Sequence, residues 1–191
     1  MKHSITTYNT KRTIAESLKD IMRTKPFSKI TVSEIIVDCG INRKTFYYHF
    51  DDIYALLKWI FDDEAINVVK HIDLLTNYED AIRFAMDYIE KNDYIISCVY
   101  DSIGRDEMKR LFYTDFMSAV TSVINAAEQQ MQSQIDSDFK EYVAKFYTEA
   151  LSGMIIEWAK EKDKRDKEKT IKYLTTIIET TLSSIEYCRL I

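Results

Sequence analysis

The chain has 191 residues, 46% of them hydrophobic and 30% charged, which suits a folded protein with a real core. Three glycines and one proline are too few for the turns of a sheet, so an all-α fold is expected. A net charge of -5 excludes a uniformly basic nucleic-acid binder.

The charge is unevenly spread. Residues 1–58 hold 10 Lys/Arg against 6 Asp/Glu, whereas residues 59–191 hold 16 against 25. A basic front on an acidic body is the asymmetry of a protein whose front alone meets phosphate. Cys39, Cys98 and Cys188 lie far apart, at no metal-ligand spacing. No signal peptide and no apolar run of about 18 residues is found, so a cytoplasmic protein with no membrane partner is expected.

Ile14, Leu18, Ile21 and Met22 recur at helical spacing and predict a first helix from Thr10 to Arg23. Pro26 interrupts it. Thr31-Val32-Ser33-Glu34 has the form of a capping box and opens a second helix with Val32, Ile35, Ile36 and Cys39 on one face. Gly40 stops that helix, since glycine can take the left-handed backbone of a sharp turn. Asn42 is a suitable N-cap for a third helix, with Ile41, Phe46 and Phe50 turned inward. A fourth helix starts near Asp51-Asp52 and carries Leu56, Leu57, Ile60, Phe61, Ile66 and Val69. Further helices are expected over 78–92, 93–102, 104–133, 136–163 and 166–188, broken at Gly104, Ser137 and a charged run from Lys160 to Lys169. That run alternates in sign and reads as a solvated helix end.

The last two helices are apolar on more than one side, through residues such as Phe139, Phe146, Met154, Leu174 and Ile177. Pairing with a second copy would cover the excess, giving a homodimer built through these two helices. Gly153, costly inside a helix, suggests a close helix backbone there. Trp59, Phe84, Tyr88, Tyr100, Phe112, Phe116 and Trp158 are pocket candidates whose spacing fits ordinary core equally well.

The third helix carries the chemistry. A helix-turn-helix lays its second helix in the major groove and its first across the backbone. Arg43 and Lys44 stand at the N-terminal end, where either can donate to guanine O6 and N7. Thr45 can offer a hydroxyl to phosphate or a methyl to thymine. Tyr47 and Tyr48 suit sugar and phosphate, and His49 can donate to phosphate, more strongly when protonated. Thr31 and Ser33 open the second helix, where free N–H groups favour an anion. The expected partner is double-stranded operator DNA.

These residues, together with Thr31-Val32-Ser33-Glu34-Ile35, Cys39-Gly40-Ile41 and Arg43-Lys44-Thr45-Phe46-Tyr47-Tyr48-His49-Phe50, resemble the DNA-binding domain of the TetR family of bacterial transcriptional regulators. The resemblance covers residues 8–62. It implies a dimer of nine- or ten-helix subunits, with residues 1–54 as the DNA-binding domain and residues 55–191 for effector binding and dimerisation. It also implies a repressor, released or modulated by a small-molecule effector or a partner protein. One position departs from the pattern: the lysine that the family commonly carries three residues after the last phenylalanine is Ile53 here. The segment from Tyr147 to Trp158 is similar to regulators of dihydroxyacetone kinase operons, some of which work with a metabolite-sensing partner protein.

Two rivals remain. An enzyme would need a catalytic pair, a metal cluster or a Gly-rich loop, and His3, His49 and His71 are scattered. No catalytic residue, metal or cofactor is therefore expected. A protein-binding coregulator with weakened DNA affinity would fit the missing lysine but not the intact Arg43–His49 block.

Overall fold

The computed structural model describes residues 2–132 and 135–185, and among them every regular element is a helix. Cys188 and the end of the expected last helix lie outside these residues. Helix α1 spans Lys2–Ile21, starting earlier than its apolar pattern predicts. It buries Ile14 and Leu18, and Met22 just beyond it is buried as well. After Pro26 a single 3-10 turn, Phe27–Lys29, drops Phe27 into the core. Helices α2 (Val32–Asp38), α3 (Arg43–His49) and α4 (Ile53–Phe61) complete the head.

The chain stays helical through Val69, as the apolar pattern predicts, but α4 first widens into a π-helical turn, Asp62–Ile66, and then resumes as a short α5, Asn67–Lys70. In this wider turn two adjacent carboxylates both reach α1. Tyr8 donates to Asp63 at 2.9 Å and Lys19 donates to Glu64 at 2.7 Å, while Ala65 stays buried. Sequence periodicity could not show this, because the partners lie on a distant helix. Such π insertions concentrate at functional sites.

The body comprises α6 (Tyr78–Lys91), α7 (Asp93–Met131), α8 (Ser137–Lys160) and α9 (Lys167–Ile185). The expected break at Gly104 is present: at φ 79° and ψ 175° Gly104 leaves helical geometry and divides α7 into two helical segments that meet at a kink. Asp136 caps α8, accepting from the Phe139 N–H at 2.9 Å. Head and body share a continuous core, in which Ile14, Ile35, Phe46 and Leu56 connect through Ile60 and Phe61 to Ile95, Val99 and Phe112.

Within the single chain, no backbone atom of another helix lies within 4 Å of a Cβ built at Gly153. A Cβ there would meet only the Arg105 guanidinium, at 3.2 Å from Nη2. The charged run is more than a solvated end. Arg165 donates to Asp93 at 2.9 Å and lies over the Trp158 ring, and Lys167 donates to Asp87 and Glu90 at 2.7 Å each. It fastens the connection between α8 and α9 to α6 and α7.

Candidate nucleic-acid interface

Local chemistry fixes the angle between α2 and α3. The Thr31 hydroxyl accepts from the Glu34 N–H at 3.3 Å, and Glu34 Oε2 accepts from the Thr31 N–H at 2.9 Å, closing both halves of the capping box. Lys25 pairs with the same Glu34. These partners, Lys25 first, hold the Glu34 carboxyl down to about 2. At the other end Gly40 has φ 66°. The Ile41 N–H bonds to Ile36 O at 3.0 Å and the Gly40 N–H to Val37 O at 3.4 Å, which is the Schellman pattern. Asn42 then caps α3, accepting from the Thr45 N–H at 2.8 Å. The whole turn is built from contacts within five residues.

Helix α3 is two-faced. Phe46 is fully buried and Phe50 nearly so, with ring centroids 6.0 Å apart. On the opposite side Arg43 and Lys44 are exposed, Tyr47 is 48% exposed and Tyr48 71%. Tyr47 rests edge-on against Phe46, at 5.5 Å between centroids, and Tyr48 against His49 at 4.9 Å. These ring contacts hold both tyrosines in place while leaving them exposed, and a side chain already held loses little entropy on contact. Arg43 Nη2 donates to Ser33 Oγ at 2.6 Å, so α3 and α2 meet side chain to side chain across the turn. Thr45, half-buried, donates its hydroxyl to Asn42 Oδ1 at 3.1 Å. Thr31 likewise donates to Glu34 Oε2 at 2.8 Å. His49 is half-buried, and burial first and Lys11 second hold its pKa below the usual histidine value.

Ile53 occupies the place of the missing lysine and is half-buried. Lys58 does not replace it, because its ammonium is tied to Asp62 and, at 2.7 Å, to Asp115. Sequence reasoning passed over Tyr54, which is 50% exposed in the first turn of α4 and braced edge-on by Phe27 at 5.2 Å. It also passed over Lys11, whose ammonium sits 5.2 Å from the Phe50 ring centre beside α3. A capped helix start with an aromatic was the available signal for the first. For Lys11 there was none, since the neighbours are distant in sequence.

Behind the head, the π-turn and the helices α6 to α9 line a cavity of about 230 Å³ that is partly open to solvent. Of the aromatic pocket candidates, Tyr88, Phe112 and Phe116 line it, while Trp59, Phe84, Tyr100 and Trp158 do not. Among the described residues no cluster of three or more His, Cys, Asp or Glu is disposed to hold a metal, and no helix is long and apolar enough to cross a membrane.

Comparison with known proteins agrees with this geometry. Residues 14–60 match the family described as "Bacterial regulatory proteins, tetR family", and residues 76–180 match "Transcriptional regulator C-terminal region". The chain is 27% identical over 100 residues to the HTH-type dhaKLM operon transcriptional activator DhaS of Lactococcus lactis subsp. lactis (strain IL1403), an alignment covering 52% of each protein. The chain thus spans about half the length of that curated relative. A solved structure titled dihydroxyacetone kinase operon activator DhaS has the same fold, with a TM-score of 0.71 at 18% identity over 91% of this chain and 96% of the other. The matched families are regulators and not enzymes. With a helix-turn-helix head and a matching helical body that together account for most of its length, this chain belongs to the TetR family of bacterial transcriptional regulators.

Proposed function

We propose that the chain works as a homodimer whose two α3 helices enter successive major grooves of an operator in the bacterial cytoplasm. One observation carries the reading: α3 turns Phe46 and Phe50 into the core and leaves Arg43, Lys44, Tyr47 and Tyr48 facing outward. Residues 1–54 form the reading head in this scheme and residues 55–191 the controlling body. Thr31, Ser33, Thr45, His49 and Tyr54 supply phosphate contacts around Arg43 and Lys44, and binding orders them by exchanging their internal hydrogen bonds for phosphate oxygens.

The partner subunit is argued from α8 and α9. Phe139, Tyr142, Phe146 and Met154 are exposed within one arc of α8, and Tyr173 and Ile177 are exposed on α9. An apolar strip of this length on two neighbouring helices calls for a cover, and a second copy offers a self-complementary one. Two heads so joined address half-sites one DNA turn, or a multiple of it, apart.

Control comes from the body, by an effector or partner protein that favours one spacing of the heads. Release of a repressor is one outcome. The relative's name describes an activator, and the same dimer placed upstream of a promoter would activate, so the operator's position decides the sign. Gel retardation with a randomised duplex pool at low salt tests the core of the proposal. Retention followed by enrichment of a two-fold symmetric sequence is expected. No retention would leave the protein-binding coregulator as the better reading.

A further inference from the structure

We infer that the body cavity receives a neutral, apolar small molecule and discriminates against anions and polyols. The inference rests on the regulator reading above and specifies what the controlling body takes. The cavity measures about 230 Å³. A cavity of about 150 Å³ lined by aliphatic and aromatic side chains holds a benzene ring, so this one fits about nine or ten non-hydrogen atoms.

Its lining decides the chemistry. Only four lining residues carry a polar group at the end of the side chain: Lys70, Tyr78, Tyr88 and Asp115. Each is already engaged within the protein. Lys70 donates to Asp115 at 3.0 Å, and Asp115 also accepts from Lys58 at 2.7 Å. Burial would raise the Asp115 carboxyl, but the two lysines outweigh it and keep it below the usual range, hence ionised. Tyr78 donates to Glu179 at 3.1 Å and Tyr88 to Glu64 at 2.9 Å. The remaining walls are apolar, among them Phe61, Ile89, Phe112, Ile156 and Leu174.

A carboxylate or phosphate entering this space would lose its hydration and gain no free cation. A polyol would give up its water hydrogen bonds against walls that are almost wholly apolar, and the four polar groups there already have partners within the protein. A neutral apolar molecule loses nothing of the kind. The cavity also touches the connection to the head, since Ala65 and Ile66 of the π-turn are part of its wall while the adjoining Glu64 binds Lys19 of α1.

The test uses the full chain and three probes: naphthalene, 2-naphthoate and glycerol, followed by calorimetric titration and thermal melting. Naphthalene is expected to bind saturably, one per chain, and to raise the melting temperature. 2-Naphthoate, the same rings with one charge, is expected to bind at least about tenfold more weakly because its carboxylate would be buried unpaired. Ala119→Phe fills the cavity from α7 and Ala85→Phe from α6, and each is expected to abolish naphthalene binding while keeping its helical circular dichroism. Should one variant not fold, the other gives the same reading, and the ranking of the three probes on the unmodified chain needs neither. Absence of saturable naphthalene binding, equal binding of 2-naphthoate or glycerol, or undiminished binding by a folded filled variant would overturn the inference. DNA retention measured on the same samples separates the two proposals. Retention without naphthalene binding removes the ligand class alone, and naphthalene binding without retention removes the regulator reading alone.

Discussion

Lys19 and Glu64 lie 45 residues apart in sequence and form a 2.7 Å ion pair that fastens the DNA-reading head to the π-turn of the body. The same carboxylate accepts from Tyr88, 2.9 Å away on the wall of the cavity. Glu64 is therefore the shared acceptor between α1, which packs in the head, and α6, which bounds the cavity. Burial first, and Glu64 second, push the Tyr88 phenol far above its ordinary range, so it remains a hydrogen-bond donor at every working pH.

Tyr88→Phe removes that donor and keeps the ring. A hydrogen bond to a charged acceptor contributes about 1.5–3 kcal/mol, and the variant is expected to lose stability toward the lower end because Glu64 keeps Lys19. Urea unfolding with unchanged m-value measures the loss. A variant as stable as the original would show that Glu64 is satisfied without Tyr88.

Arg43→Ala is expected to weaken operator binding by about 1–3 kcal/mol and to relax preference at one base pair of each half-site. Fluorescence anisotropy on the selected operator and its single-base variants reads both effects. An equal loss on all sequences would assign Arg43 to phosphate. Its hydrogen bond to the exposed Ser33 means the change should leave thermal stability almost untouched.

Burial first and Lys11 second hold the His49 pKa below the usual histidine value in the free protein, which favours the neutral ring. A DNA phosphate against the ring would raise that pKa, so binding would take up a proton. Operator affinity is then expected to increase as the pH falls below neutrality toward the depressed value of the free protein. His49→Gln should flatten this profile. An unmodified chain with a flat profile between pH 8 and about 5.5 would place His49 away from phosphate.

Glu34 titrates at about 2 in the fold against 4.5 ordinarily. A depressed carboxyl contributes stability that is complete above pH 4.5 and is lost as the pH falls toward 2. Carbon-13 NMR titration of the Glu34 carboxyl should show that low midpoint. Lys25→Met, which removes the first of its partners, should move it upward. A midpoint near 4.5 in the original chain would show the capping box open in solution.

Phe146→Glu places a charge in the exposed apolar arc of α8, where Phe146 is 59% exposed in the single chain. The fold should tolerate it, while sedimentation equilibrium should shift from dimer to monomer at micromolar concentration. Operator affinity should fall with it, since one head alone reads half a site. An unmodified chain that is already monomeric at this concentration would remove the proposed interface.

The sequence by itself determined the head. Thr31, Glu34, Gly40 and Asn42 act on backbone groups no more than five residues away, and Phe46 and Phe50 state which face of α3 is inward, so each could be read from its neighbours alone. The apolar surplus of α8 and α9 was legible for the same reason, as a periodicity within one helix. Only the tertiary structure decided the π-turn and the cavity behind it. The π-turn interrupts a helix whose apolar pattern runs on unbroken, because its carboxylates answer to Tyr8 and Lys19 on another helix. The commitment of Lys58 to Asp115 and a cavity lined by Tyr88, Phe112 and Phe116 but not Trp59 or Trp158 depend likewise on which helices become neighbours. Local propensity reports the cost of a backbone conformation at one residue. It carries no term for a partner brought close by the packing of distant helices, and in this protein those partners join the cavity to the head.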